Sequence, residues 1–395
     1  MQKYTFPKDF VWGTATASYQ IEGDNRFSDW WQAEIHRPDK LKEHSAEGCD
    51  SYNRYEEDFD LAKKLNNNGI RISLEWARIE PEEGVFNEQE LEHYKKVLQA
   101  ARQRGLQTFV TLHHFTNPMW IYKKGHWANI KTPKYFARYA KKVGESLGSE
   151  VDVFLTINEP QVYALMGYVL GNWPPFSKNY FKSLIVQINF MRAHVLAYKE
   201  LKKINTHYTV GIVKNIVWYE TKPKGAALWD KCAVKFLNFI GRDFFLLPIS
   251  NQLDLIGLNY YFTNRVVNLK QSNPNTVVSD LGWWINPEGL GKILNSLKRY
   301  KVPVYITENG VADAQDKLRV TFIQEHLAQV AKAIENGADV RGYFHWSLID
   351  NFEWAEGYWP RFGLVEIDRT NGLERKPRKS FDYYAKVCKT GEVEL

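Results

Sequence analysis

Short apolar runs alternate along the chain with segments whose apolar residues recur every three or four positions. Eight of the runs are continuous: 10–16 (FVWGTAT), 69–76 (GIRISLEW), 107–114 (QTFVTLHH), 152–158 (DVFLTIN), 208–215 (YTVGIVKN), 253–261 (LDLIGLNYY), 302–308 (VPVYITE) and 340–348 (VRGYFHWSL). Unbroken runs of this length are how strands covered on both faces read. Between them, Leu91, Tyr94, Leu98 and Ala101 share one helical stripe. Asn87 is placed to cap that helix, Glu90 to complete a capping box and Gly105 to end it. Ile323, Leu327, Val330 and Ile334 mark a second helix, closed by Gly337. Thr132-Pro133 reads as an N-cap followed by proline at the first helical position.

Eight strands interleaved with helices predict an α/β fold, a (β/α)8 TIM barrel with short βα loops. No Pro/Gly/Ser linker divides the sequence, so residues 1–395 are expected to form one catalytic domain. An open doubly wound sheet is the rival. Its signature would be a GxGxxG turn after the first strand. Gly13 stands alone there, and GLGK at 289–292 lacks the first Gly and the Ser/Thr of a phosphate loop, so it reads as a helix start.

In a barrel, catalytic groups come from the C-terminal ends of the strands. The fourth run ends Thr156-Ile157-Asn158-Glu159-Pro160, and the seventh ends Ile306-Thr307-Glu308-Asn309-Gly310. Strands four and seven of eight face each other across the mouth. Two facing carboxyls are the equipment of glycoside hydrolysis, one as proton donor and one as ionised nucleophile. A single glutamate at a strand end is more often a surface or salt-bridged residue. Two at matching positions weaken that reading. Arg71 is placed to hold a carboxylate ionised and Tyr261 to donate a hydrogen bond to it. Asn158 is placed to bind a hydroxyl beside the reacting carbon. After the eighth strand, Trp346 and Trp354 offer stacking faces, and Glu353 can accept from sugar hydroxyls. Each alone has an ordinary structural reading.

Composition narrows the rest. The chain has 14 Trp, 22 Tyr and 22 Phe, which suit either a large core or a site that stacks rings on sugars. The formal net charge is only +6, without a nucleic-acid-binding motif, so no nucleic-acid partner is expected. The one dense basic run, Arg375-Lys376-Pro377-Arg378-Lys379, reads as a solvated surface stretch. His113-His114 tempts as a metal pair, but adjacent strand residues point to opposite faces, so no metal site is expected. Three widely spaced cysteines, Cys49, Cys232 and Cys388, suggest neither a disulfide framework nor a zinc knuckle. No apolar run is long enough to span a membrane and the N-terminus lacks a signal-like stretch. A cytoplasmic protein without a membrane partner is the expectation.

The chain resembles glycoside hydrolase family 1, the retaining β-glucosidases and their relatives, nearly end to end. The likeness runs through FVWGTATASYQIEG, GCDSYNRYEEDFDLAKKL, RISLEWARIEP, TLHHFTNP, TINEP, DLIGLNYY, YITENG and GYFHWSLIDNFEWAEGYWPRFGLVEID. It implies Glu159 as general acid/base, Glu308 as nucleophile, and Arg71 and Tyr261 as the nucleophile's supports. It implies Gln20, His114, Asn158, Glu353 and Trp354 as ligands of the non-reducing sugar, with Trp346 as stacking platform and Asn259 and Phe362 nearby. The resemblance implies a retaining β-glycosidase acting on small β-glucosides or oligosaccharides, and also on β-galactosides and β-fucosides, with no cofactor. Glu353 favours a neutral glycone over a 6-phosphosugar, and Glu159 favours O-glycosides over thioglycosides.

The chain departs from the family where Trp usually follows the sugar-binding His. Here Phe115 keeps an aromatic face and loses an N–H. Residues 23–30, the stretch 170–250 and the segment after Tyr261 look trimmed, and a more open mouth is expected. Transglycosylation and a sugar-binding barrel without turnover are the rival functions.

Overall fold

A computed structural model describes residues 2–273 and 277–395. Residues 274–276, within the segment after Tyr261 that looks trimmed, lie outside the described residues. All eight apolar runs are strands of one closed parallel barrel. They are β1 (Val11–Ala15), β2 (Gly69–Ser73), β3 (Gln107–His113), β4 (Val153–Asn158), β5 (Thr209–Asn215), β6 (Leu255–Asn259), β7 (Val304–Asn309) and β8 (Val340–Trp346). Each pairs with the next in sequence, and β8 closes on β1.

Alternation along the strands separates two apolar cores. Phe109, Leu155, Val213, Leu255 and Phe344 fill the barrel interior. Their neighbours Val110, Phe154 and Ile212 face outward into the layer beneath the helices. Both faces are therefore dry, which is why the runs read as continuous.

The outer layer includes α1 (Ser51–Lys64), α2 (Glu88–Gln103), α3 (Thr132–Leu147), the short α4 (Pro160–Leu165), α5 (Tyr180–Ile204), α6 (Leu228–Asn238), α7 (Pro287–Leu297), α8 (Arg319–Glu335) and α9 (Lys379–Thr390). GLGK lies in the first turns of α7, which Asn286 caps. Asn87 caps α2, accepting from the amides of Gln89 and Glu90. The capping box does not form. The Glu90 carboxylate accepts from the Tyr52 hydroxyl, and the Asn87 amide donates to Ile79 O at 2.8 Å. α3 begins at Thr132 itself, with Lys131 in the cap position and no side-chain cap; the Thr132 hydroxyl donates to His126 O at 2.6 Å.

The basic run near the C-terminus is not a solvated stretch. Its first residues lie in a short strand, Glu374–Pro377, of which Arg375 alone is buried, and Arg378 stands at the start of α9. Arg375 is buried against Asp58 and Cys49 O, and Arg378 is buried against Asp350 and Gly363 O. Charge density along the sequence misleads here because carboxylates distant in sequence neutralise the inward guanidinium groups. Lys376 and Lys379 remain exposed.

Two irregularities matter for the site. In the β4–β5 pairing the register slips between Leu155 and Asn158, and in β6–β7 it slips between Ile306 and Glu308. In both, one extra residue enters the strand just before the glutamate-bearing end. Such bulges re-aim side chains beside active sites. Gly310 follows for a steric reason: a Cβ there would lie 1.8 Å from Trp346 O. Asn309 anchors the same strand end, donating to Tyr260 O at 2.6 Å and accepting from the Tyr343 hydroxyl at 2.9 Å.

Candidate active site

Glu308 leaves β7 and meets Arg71 from β2. The Arg71 Nη1 forms an ion pair with Glu308 Oε1, and the Tyr261 hydroxyl donates to Glu308 Oε2 at 2.5 Å. Arg71 is fully buried and its other donors are occupied as well. Nε donates to Thr111 Oγ1 at 3.1 Å and Nη2 to Asn158 Oδ1 at 2.7 Å. A buried guanidinium held on three sides fixes the carboxylate it pairs with. Burial and the Glu308 charge hold the Tyr261 phenol well above its usual pKa, so it stays a donor.

Glu159 leaves β4 in a different environment. Its backbone is left-handed, with φ 45°, and its amide donates to Val213 O at 3.0 Å. The Glu159 Oε1 accepts from Asn259 Nδ2 at 2.6 Å and Asn215 Nδ2 at 3.1 Å. Its only charged neighbours among the main influences are Glu308, which repels, and Arg71, which attracts more weakly; burial leads both. The result is a pKa raised to about 7. Two carboxyls thus share one pocket, one paired to a cation and one not.

A continuous hydrogen-bonded chain joins them. Glu308 binds Arg71, Arg71 binds Asn158, Asn259 donates to Asn158 Oδ1 at 3.2 Å, and Asn259 also donates to Glu159. The Asn158 Nδ2 then donates to His114 Nε2 at 3.2 Å. That bond makes Nε2 the acceptor, so the neutral ring carries its proton on Nδ1. Burial and the nearby Arg71 charge push the His114 pKa well below the usual value, consistent with a neutral ring.

Among the described residues, several buried polar atoms have no hydrogen-bond partner. Among them are His114 Nδ1 and Gln20 Oε1. Gln20 Nε2 is already spent on Asn351 Oδ1 at 2.8 Å, Phe352 O at 2.9 Å and, more loosely, Glu353 Oε2 at 3.4 Å. The free atoms form a donor and an acceptor for ligand hydroxyls. Glu353 lies beside them, its pKa raised to about 8 first by burial and then by the Glu308 and Glu159 charges.

Rings frame the pocket. The planes of Trp346 and Trp354 lie 19° and 14° from that of His114. Phe115 packs on Trp173 and Trp354 with centroids 4.9 and 5.2 Å away. It supplies a ring and no donor. Phe115 and Trp354 share the left-handed backbone of Glu159, with φ 71° and 52°. Such conformations cost side-chain-bearing residues on the order of 1 kcal/mol or more, and they cluster where a pocket is shaped for a ligand. Phe362 and Tyr261 stand 6.1 Å apart, with Trp283 at 5.6 Å from Tyr261.

The thirteen residues singled out in the sequence therefore come together at one barrel mouth. His113 points the other way, to Asn117 and Trp127, as strand alternation requires. Sequence reasoning passed over Asn215, Trp283 and Trp173. Asn215 was legible, since it is the polar last residue of an apolar strand, like Asn158 and Asn259. The two tryptophans come from loops, where no periodicity marks them.

A strand-end carboxyl pair, one member ion-paired and the other held by neutral amides with a raised pKa, among hydrogen-bonding groups and flat rings, defines a barrel enzyme that cleaves O-glycosidic bonds. The comparisons agree. The family profile described as glycosyl hydrolase family 1 matches residues 2–248 and 233–393. Beta-glucosidase A of Thermotoga maritima is 33% identical over 98% of this chain and 99% of its own. The structure of a beta-glycosidase from Pyrococcus horikoshii superposes with a TM-score of 0.92 at 39% identity, covering 100% of this chain and 97% of that one. The Thermotoga maritima beta-glucosidase in complex with glucoimidazole gives a TM-score of 0.91 at 32% identity, over 98% and 99% of the two chains. The chain belongs to glycosyl hydrolase family 1.

Proposed function

We propose that the chain is a retaining β-glycosidase, working as one catalytic domain on terminal non-reducing β-D-glucosyl residues by double displacement. The observation that carries this reading is the contrast between Glu308, clamped by Arg71 and Tyr261, and Glu159, raised to about 7 and held by neutral amides. The first group suits nucleophilic attack and the second proton donation.

In the first step a Glu308 oxygen attacks the anomeric carbon. Glu159 gives its proton to the departing glycosidic oxygen. The bond between that oxygen and the anomeric carbon breaks, and a glycosyl ester forms on Glu308. Esterification removes the Glu308 charge that raises the Glu159 pKa. Glu159 then ionises more easily and takes a proton from the water that opens the ester. One residue serves as acid and then as base because the intermediate changes its electrostatic surroundings.

Gln20 Oε1, His114 Nδ1 and Glu353 are assigned to the hydroxyls of the glycone, with Trp346 beneath its face. Glu353 sits where neighbouring negative charge already pushes its proton affinity up. A phosphate there would add to that charge, so a neutral sugar is favoured over a phosphosugar. β-D-Galactosides and β-D-fucosides are secondary substrates, since one carboxyl can meet either orientation of the 4-hydroxyl. The Thermotoga maritima beta-glucosidase solved in complex with glucoimidazole supports a sugar-like small-molecule ligand.

The test is a panel of p-nitrophenyl β-glycosides with wild type, Glu308→Gln and Glu159→Gln. The glucoside is expected to turn over fastest, and Glu308→Gln to lose at least about 10³-fold. Equal near-zero rates for wild type and Glu308→Gln would favour a binder without turnover.

A further inference from the structure

Outside the mouth, two helices carry apolar side chains on the face that meets water. On α5, Tyr180 and Phe181 are 78% and 73% exposed, and Leu184 and Ile188 continue the same stripe. On α6, Leu228, Trp229 and Phe236 are 74%, 59% and 62% exposed. Helices of a globular protein normally turn such residues inward.

One side chain links the two segments. Gln161 in α4 donates from Nε2 to Gln187 Oε1 on α5 at 3.1 Å and to Ile240 O just beyond α6 at 3.0 Å. Gln187 adjoins Ile188, and Ile240 adjoins the exposed Phe239. α4 itself presents Leu165 to solvent beside them.

Both segments are rich in lysine and poor in exposed acidic residues. Between Lys178 and Arg192 the sequence has no acidic residue, and Lys182 is exposed amid the α5 stripe. From Lys222 to Arg242 the one acidic residue is Asp230. It is buried, accepting from the amides of Asn268 and Leu269 at 3.0 and 2.8 Å. Lys231 and Lys235 flank the exposed rings of α6.

We infer that this α5–α6 face adsorbs to an anionic lipid surface. Exposed rings and aliphatics interleaved with lysines suit the boundary between headgroups and acyl chains. A second copy suits it less, because an isologous contact would press one lysine-rich face against its own image. Among the described residues no helix is long and apolar enough to cross a membrane, so the contact is adsorption. The sequence expectation of no membrane partner rested on spanning runs and does not address a face assembled from two helices.

The test is flotation of the full chain with phosphatidylcholine vesicles, with and without phosphatidylglycerol, at low and moderate salt. Wild type is expected to float with the anionic vesicles and to release as salt rises. The Phe181→Ser/Trp229→Ser variant is expected to partition about tenfold more weakly or worse. Lys182→Gln/Lys235→Gln is expected to lose about tenfold on anionic vesicles alone. Hydrolysis of a soluble aryl glucoside should be unchanged in both, which also reports intact folding. Failure of wild type to float, or flotation of both variants equal to that of wild type, would overturn the inference. So would sedimentation showing that the substitutions abolish a dimer that itself never binds vesicles.

Discussion

Asn259 Nδ2 lies 2.6 Å from Glu159 Oε1 and 3.2 Å from Asn158 Oδ1. One amide thus touches the candidate acid and, through Asn158 and Arg71, the candidate nucleophile. The contact is neutral and orients Glu159; it lowers the carboxyl's proton affinity, but burial and the Glu308 charge raise it by more.

The pH profile follows from that difference. Free-enzyme kcat/KM is expected to fall as pH rises through about 7, where Glu159 loses its proton. In Glu159→Gln this basic limb should disappear, with rates on poor leaving groups down about 10²–10⁴-fold. Initial rates across pH 5–9 check it. An unmoved limb in the variant would assign the titration elsewhere.

The same raised pKa predicts a stability effect. An unfolded glutamate titrates near 4.3, whereas Glu159 in the fold titrates at about 7. Below both values the two states bind the proton equally. As pH rises between them the unfolded state ionises first, and the folded state loses relative stability until about pH 7. Glu159→Gln should therefore be more stable than wild type at pH 8, on the order of 2–3 kcal/mol, and nearly equal to it near pH 4. Thermal melts of both proteins at the two pH values decide this.

Arg71→Met removes the only ion-pair partner of Glu308 among the described residues and takes a donor from Thr111 Oγ1, Asn158 Oδ1 and Thr307 O. The expected costs are about 3–5 kcal/mol of stability and most of the activity. Arg71→Lys keeps the charge but not the fork, and should recover stability better than rate. Denaturant titrations set beside kinetics would separate the two losses; equal recovery of both would contradict the orienting role.

Lys214 offers a subtler case. It is fully buried on the outer side of β5, its ammonium bonded to Gln161 Oε1 two residues past Glu159. Burial pushes its pKa down to about 7, with the Glu159 charge opposing. Val213 and Asn215 on either side also bind Glu159. β5 therefore grips the strained segment 159–161 at three points. Lys214→Met is expected to slow glycosides with poor leaving groups about tenfold while sparing activated aryl glycosides, because a misplaced acid matters only when protonation limits departure. A uniform loss across leaving groups would indicate a general packing defect.

The barrel was legible because both faces of every strand are dry, so Phe109-Val110 or Leu155-Thr156-Ile157 could not read as anything but buried strand. The glutamates were legible through their position at strand ends. The bulges before Asn158 and Glu308 were not, since register depends on the partner strand. Nor was the inward turn of Arg375 and Arg378, whose counter-ions lie 317 and 28 positions away. The α5–α6 face escaped for the opposite reason: a helical stripe such as Phe181, Leu184 and Ile188 normally signals core, and only the fold shows it facing water.

Trapping with a 2-deoxy-2-fluoro-β-glucoside bearing a good leaving group, followed by peptide mass spectrometry, tests the central claim most directly. A stable glycosyl adduct on Glu308 is the predicted result, with none in Glu308→Gln. An adduct on another residue, or turnover with inversion and no adduct, would contradict it.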